Sequence, residues 1–108
     1  AVHGLKVTPH RIRTGEAITF TFRVISQATR AQKLMIDYVL HYRKASGKTA
    51  PKVFKLTTRT LAARARETLE KKHAFKPIGI RPYYPGEHAV EIQVNGQSGG
   101  RVVFHLQD

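Results

Sequence analysis

The residues best suited to chemistry are the bases and hydroxyls of one short segment, residues 41–55. It contains no carboxylate, and Ser46, Gly47 and Thr49 place hydroxyl groups and backbone amides near its centre. Its five cations are Arg43, Lys44, Lys48, Lys52 and Lys55. Phosphate oxygens accept hydrogen bonds from charged and neutral donors alike. The segment therefore predicts a phosphate-binding loop, with a solvated hairpin tip as the alternative.

A second basic cluster lies at residues 71–76. On a strand, Lys72 and Lys76 share one face, whereas Lys71, His73 and Phe75 share the other. Both faces cannot be core, so one is expected to meet solvent or phosphate. The residues predicted to contact phosphate are Arg43, Lys44, Ser46, Lys48, Thr49, Lys52, Lys72, Lys76 and Arg81. The group Arg59, Arg64 and Arg66 is interpreted as a solvated surface.

The basic residues are unevenly distributed along the chain. Nineteen Lys and Arg against seven Asp and Glu give a formal net charge of +12. Twelve of the nineteen lie between Arg43 and Arg81, with only Glu67 and Glu70 among them. Self-repulsion opposes compactness, so the asymmetry favours an anionic partner, with a nucleic-acid backbone first. A solubilising surface is the alternative. A membrane surface is disfavoured because the chain has no basic amphipathic helix.

Other kinds of site find little support. Gly47-Lys48-Thr49 resembles part of a nucleotide-binding loop, but the first glycine of that motif would have to stand at Tyr42. The six histidines form no local ligand pair, the seven acids are scattered, and cysteine is absent. We therefore predict no catalytic residue, metal site, cofactor or disulfide.

The elements that position the basic segment follow a period of two residues, which is typical of half-buried strands. In Ala17–Ile25 the inward residues are Ile18, Phe20, Phe22 and Val24. The same alternation predicts strands at Lys33–Arg43, His88–Val94 and Arg101–Leu106, and shorter strands at Gly4–Val7, Val53–Leu56 and Leu69–Phe75. About seven short antiparallel strands predict an immunoglobulin-like β-sandwich. Thr60–Glu67 is interpreted as a connection with one helical turn.

Two features bear on the surface of this sandwich. Met35 and Val39 alternate with inward residues and are predicted to face outward, where they are candidates for an apolar patch. Of Tyr83 and Tyr84, one is expected to pack at a sandwich corner, and the other is a candidate for stacking on a base.

The length indicates one domain, residues 1–108. No apolar run approaches the roughly eighteen residues of a membrane span, and no secretory signal stands at the start. The chain begins Ala-Val-His without an initiator Met, so we expect either a processed product or a domain excised from a larger protein.

Four segments resemble the C-terminal domain of bacterial DNA alkylation-repair proteins of the AlkC type. They are Asp37–Tyr42 with Lys44–Lys55, Tyr84–His88, and Val90–Gly96. The sequence differs from that family's pattern at Ala62–Glu67, where a Pro-Gly-Glu turn is usual. The resemblance implies an immunoglobulin-like module that follows a HEAT-like helical-repeat domain. In that family the helical domain excises N3-alkylated adenine and related lesions, and the sandwich helps to wrap the duplex.

The resemblance and the basic segment together predict an accessory DNA-binding module of an alkylpurine DNA glycosylase. We expect it to contact the backbone of double-stranded DNA, to be monomeric and non-catalytic alone, and to reside at the nucleoid in the bacterial cytoplasm. The alternative is a protein-interaction or spacer module that docks on the helical-repeat domain. A stand-alone nuclease is the least supported hypothesis, because the scattered carboxylates supply no cluster of metal ligands.

Overall fold

A computed structural model describes residues 1–76 and 83–107, which form eight β-strands. These are β1 (Val2–Thr8), β2 (Arg11–Arg13), β3 (Ala17–Ile25), β4 (Gln32–Arg43), β5 (Thr49–Leu61), β6 (Arg66–Ala74), β7 (Gly86–Val94) and β8 (Gln97–Gln107). Over those two ranges the structure contains no helix that is long and apolar enough to cross a membrane.

The strands form two sheets, which confirms the predicted all-β sandwich. One sheet has the order β1-β3-β6, and the other has the order β2-β8-β7-β4-β5. Neighbouring strands pair antiparallel except β2, which runs parallel to β8. The three-residue β2 is the strand that the sequence did not predict. It is too short for alternation to show, although its central residue, Ile12, is only 2% exposed.

The core lies between the sheets and is built by the predicted alternation. The inward residues of β3 are at most 1% exposed: Ile18, Phe20, Phe22 and Val24. Leu34, Ile36, Tyr38 and Leu40 of β4 face them and are at most 4% exposed. Backbone hydrogen bonds hold the strands within each sheet. The burial of these apolar side chains holds the two sheets against each other.

The connection predicted at Thr60–Glu67 is much shorter than expected, and the helical turn is wrong. β5 runs to Leu61 and β6 begins at Arg66, leaving a tight turn in which the Ala65 N–H donates to the Ala62 carbonyl at 3.0 Å. Arg64 takes a left-handed φ of +58° within this turn. The alanines favour helix, but so short a segment cannot offset the cost of helix nucleation, and strand pairing prevails.

Val39 lies on the outer face of its sheet, as predicted, but it is buried there and the prediction that it is exposed is wrong. Val39 is 2% exposed although it alternates with inward residues, whereas Met35 on the same strand is 53% exposed. β4 is an inner strand of the five-stranded sheet, and Val39 lies between Val53 of β5 and Glu91 of β7. Neighbouring side chains therefore cover it, which alternation within one strand does not reveal.

Replacing a core ring tests this architecture. Phe20 is fully buried and its ring centroid lies 5.0 Å from that of Tyr38, on the facing sheet. Phe20→Ala should lower the free energy of unfolding by about 3–5 kcal/mol, because it leaves a cavity between the sheets. The change should appear in urea denaturation followed by circular dichroism.

Val53→Ala is the matched control, because Val53 is 58% exposed. Its unfolding free energy should stay within about 0.5 kcal/mol of the original. Similar losses for both variants would contradict the assigned core.

Candidate nucleic-acid interface

The basic segment folds into a hairpin tip that joins β4 to β5, here called the basic hairpin (residues 43–49). The Lys44 N–H donates to the Lys48 carbonyl at 2.7 Å, and the Gly47 N–H donates to the Lys44 carbonyl at 3.0 Å. Gly47 has a φ of +86°, a conformation that a residue with a side chain rarely adopts. The pattern is that of a three-residue loop, whose last position typically requires glycine.

The hairpin places like charges opposite one another. Lys44 and Lys48 face each other across the loop, and both are exposed. Within residues 1–76 and 83–107 the acidic side chains in contact with basic ones are Glu91, hydrogen-bonded to His41, and Glu67, paired with Arg59, so neither neutralises these two lysines. Like charges directly opposite each other weaken a hairpin. The arrangement therefore favours an anionic ligand over a structural role.

Arg43 is held where the hairpin begins. Its backbone N–H donates to Nδ1 of His88 at 3.3 Å. Its side chain crosses Gly86, so that a Cβ built on this glycine would lie 2.5 Å from Cδ of Arg43. Gly86 also has a φ of +127°. Any side chain at position 86 would thus displace Arg43 from its present path.

His88 is a buried structural residue that links the hairpin to the segment before β7. It is 1% exposed, and because a carbonyl can only accept, Nε2 carries the hydrogen and donates to the Tyr84 carbonyl at 2.9 Å. Its ring stacks on Phe104 with centroids 5.7 Å apart. Burial lowers the pKa of His88, the Arg43 charge lowers it further, and the bond to Tyr84 opposes both. The imidazole is therefore neutral near pH 7.

The tyrosine pair divides as the sequence suggested. Tyr83 is half-buried, and its ring centroid lies 5.3 Å from that of Phe75 and 6.0 Å from that of Tyr42. Tyr84 is 38% exposed. Tyr83 thus takes the packing role, and its ring lies beside the strand that leads into the basic hairpin.

Other bases converge on His73, at the end of β6. Burial lowers the pKa of His73, and the charges of Lys71 and Lys52 lower it further. Lys52 also places Nζ 5.2 Å from the centroid of the Phe54 ring. The structure therefore joins the start of β5 to the end of β6 in one basic region.

Lys71 is the residue of this region that the predicted set lacks. Alternation puts it on the same face as the buried Phe75, which made it a poor candidate for a surface contact. It is nevertheless exposed, because β6 is the last strand of its sheet. The exposure of Lys71 follows from the order of strands in the sheet, which the alternation of residues in the sequence does not reveal.

The predicted site residues are partly brought together. Five of the nine lie in the basic hairpin: Arg43, Lys44, Ser46, Lys48 and Thr49. Lys52 lies just beyond it on β5. Lys72 pairs with Thr19 and lies on the opposite face of β6 from Lys71, whereas Lys76 is exposed just beyond β6. Arg81 lies outside the described residues. In the part of the chain that the structure describes, no three potential metal ligands cluster.

Comparison with known proteins identifies relatives along nearly the whole chain. Residues 1–108 match the family described as uncharacterised protein YhaZ, C-terminal Ig-like domain, which confirms the predicted immunoglobulin-like fold. Over 105 residues the chain is 32% identical to the uncharacterized protein YhaZ of Bacillus subtilis (strain 168). That match covers 97% of this chain but only 29% of YhaZ.

Solved structures extend the comparison. The Pseudomonas fluorescens alkylpurine DNA glycosylase AlkC, bound to DNA containing an abasic site analog, is 38% identical with a TM-score of 0.95. The match covers 99% of this chain and 30% of AlkC. A Listeria innocua β-glucosidase in complex with laminaribiose has a TM-score of 0.76 at 16% identity, over 100% of this chain and 16% of the enzyme. At that identity the likeness concerns the fold alone.

The buried His88 predicts a pH dependence of stability. Its folded pKa is below the unfolded value of about 6.5, so the unfolded chain binds more protons below that pH. The contribution of neutral His88 is complete above about pH 6.5 and is lost as the pH falls further. Urea denaturation between about pH 7.5 and 5.5 should show a falling free energy of unfolding, to which His73 adds.

His88→Gln should flatten that dependence, because glutamine does not titrate. His3→Gln is the matched control, since His3 is exposed. An equally steep dependence in His88→Gln and in the original chain would show that His88 does not cause it.

Proposed function

Because the chain belongs to the family of YhaZ C-terminal Ig-like domains, we propose that it is an accessory DNA-binding module of an alkylpurine DNA glycosylase. It contacts the backbone of double-stranded DNA without reading sequence. The observation that carries the proposal is the basic hairpin, where Lys44 and Lys48 face each other at an exposed tip. The match to AlkC, a glycosylase whose structure contains DNA, supports the same ligand.

Each part of the hairpin has a role in this proposal. Lys44 and Lys48 supply mobile charges that neutralise phosphates, and counterion release gives the affinity. Arg43, fixed by Gly86 and His88, presents a planar guanidinium that can hold a phosphate with two parallel hydrogen bonds. The hydroxyl groups of Ser46 and Thr49, and the ammonium of Lys52, complete the contact with the backbone; Lys72, Lys76 and Arg81 are proposed to extend it.

Base excision is proposed to reside elsewhere in a longer polypeptide. The chain spans about 30% of the length of AlkC, and the family resemblance implies that a HEAT-like helical-repeat domain performs the chemistry. The module itself would then act without a cofactor, as a monomeric part of the larger protein. If the larger protein repairs chromosomal DNA, the module resides with it at the nucleoid in the bacterial cytoplasm.

Salt dependence tests the proposed contact. The logarithm of the duplex association constant should fall linearly with the logarithm of salt concentration, with a slope of about −0.9 for each phosphate neutralised. Changing Arg43, Lys44, Lys48 and Lys52 to Gln should weaken binding and reduce the steepness of that slope by about 3–4. Fluorescence anisotropy with a short undamaged duplex measures both quantities.

The matched control removes the same charge from exposed positions at the other end of the sandwich. It changes Arg30, Lys33, Arg64 and Arg66 to Gln. This control should retain most of the slope. Equal losses in both quadruple variants would indicate a diffuse charge effect and would overturn the hairpin assignment.

A second function, docking on the helical-repeat domain of the same polypeptide, is favoured by the outer face of the five-stranded sheet. On that face Val53 is 58% exposed, Met35 is 53% exposed and Val103 is 40% exposed. The hydrogen bond between His41 Nε2 and Glu91 Oε1, at 2.7 Å, lies between the strands that carry these valines. Exposed apolar side chains around a polar pair are a common arrangement at protein interfaces.

Serine substitutions test the docking surface. Val53→Ser with Val103→Ser should weaken capture of the domain by the separately produced remainder of its polypeptide, because both changes remove apolar contact. They should leave duplex affinity unchanged, since neither valine lies in the basic hairpin. Undiminished capture would remove this second candidate, whereas the hairpin quadruple variant serves as the control that should still be captured.

A further inference from the structure

The two sheets leave an open side between the free edges of β5 and β6. These strands follow each other in the chain, yet β5 ends the five-stranded sheet and β6 ends the three-stranded sheet. This opening is here called the edge cleft, and the side chains on the inward-facing side of its two strands are Lys52, Phe54 and Leu56 of β5 with Leu69, Lys71 and His73 of β6. The Arg59–Glu67 ion pair, at 2.9 Å, joins the two strands at the far end of the cleft.

Aromatic rings form the floor of the edge cleft. Phe54 is half-buried and stacks on Tyr38, with centroids 5.0 Å apart and an angle of 11° between the ring planes. His73 meets the Phe54 ring edge-on at 5.0 Å. A hydrogen bond of 2.9 Å between the Tyr38 hydroxyl and Nδ1 of His73 fixes the imidazole. The rings are thus held in place before any ligand arrives.

Each of the two strands that border these rings carries a lysine. Lys52 is exposed and lies over Phe54, with Nζ 5.2 Å from the ring centroid, and Lys71 is exposed on the opposite strand. Neither takes part in the ion pairs found within residues 1–76 and 83–107. The half-buried Phe54 ring therefore has a part that a cationic side chain can reach.

We propose that the edge cleft binds an unpaired nucleotide of a nucleic-acid strand. Its base stacks on Phe54 beside His73, while Lys52 moves aside to a flanking phosphate and Lys71 holds the next one. Aromatic faces between basic residues are the usual means of binding single strands, because every base has a face that can stack. The inference rests on the proposed function in one respect, that the basic hairpin holds the phosphate backbone.

The cleft and the hairpin are close enough to serve one strand. Thr49 at the end of the hairpin and Phe54 belong to the same strand, and five residues of extended chain span about 17 Å. Bases inside a duplex are stacked on their neighbours and have no free face for Phe54. The cleft would therefore add affinity only where bases are unpaired, and it would distinguish such sites from intact duplex.

The experiment compares two probes on the same domain. Fluorescence anisotropy measures the affinity for a short single-stranded oligonucleotide and for a duplex of the same sequence, and 2-aminopurine placed in the single strand reports stacking. Phe54→Leu keeps an apolar side chain against Tyr38 but removes the stacking face. It should weaken single-strand binding about tenfold and abolish the change in 2-aminopurine fluorescence, while duplex affinity is unchanged.

Two further variants separate stacking from folding and charge. Val53→Ala, on the other face of the same strand, should leave both affinities unchanged, and thermal unfolding shows whether Phe54→Leu remains folded at the assay temperature. Lys71→Gln does not touch the core and should weaken single-strand binding more than duplex binding.

The outcomes distinguish this inference from the proposed function. If Phe54→Leu and Lys71→Gln leave single-strand affinity intact while the hairpin quadruple variant lowers both affinities, the cleft proposal is overturned and the hairpin proposal stands. If neither probe binds at low salt, both proposals fail. Selective loss of single-strand binding in both cleft variants would support the cleft.

Discussion

The packing of Phe75 is the interaction on which the candidate interface depends. This side chain is fully buried just after β6, and its ring meets those of Tyr42, Tyr83, His88 and Phe104. It thereby joins the end of one sheet to the part of the other sheet from which the basic hairpin extends. The hairpin is exposed and has little packing of its own, so its position follows from this ring cluster.

Charge and packing are separated in space by this arrangement. Neutral rings and a neutral imidazole occupy the interior beneath the hairpin, and the cations lie outside on the loop and on the free strands. Burial lowers the pKa of His88, so that no buried positive charge opposes the surface lysines. The domain can therefore carry a large net charge without placing it in the core.

Sequence reasoning worked where one strand determines its own burial. In β3 the alternation of Phe20 and Phe22 with polar residues was sufficient, because the five-stranded sheet covers that face of the strand. It failed where burial depends on neighbouring strands. Val39 is covered and Lys71 is uncovered because of strand order, which pattern does not encode. The hairpin residues could be predicted from local composition, whereas the aromatic floor of Phe54 and His73 comes from two strands in different sheets.

The free edges of β5 and β6 have a consequence for self-association. An exposed strand edge offers unpaired backbone groups to another copy of the chain, and inward-pointing lysines are a common protection against such pairing. Lys52 and Lys71 stand on these two edges and repel an identical edge. The repulsion weakens when salt or a polyanion screens it. The same cations thus keep the free domain from edge-to-edge aggregation, and that protection is reduced whenever their charge is neutralised.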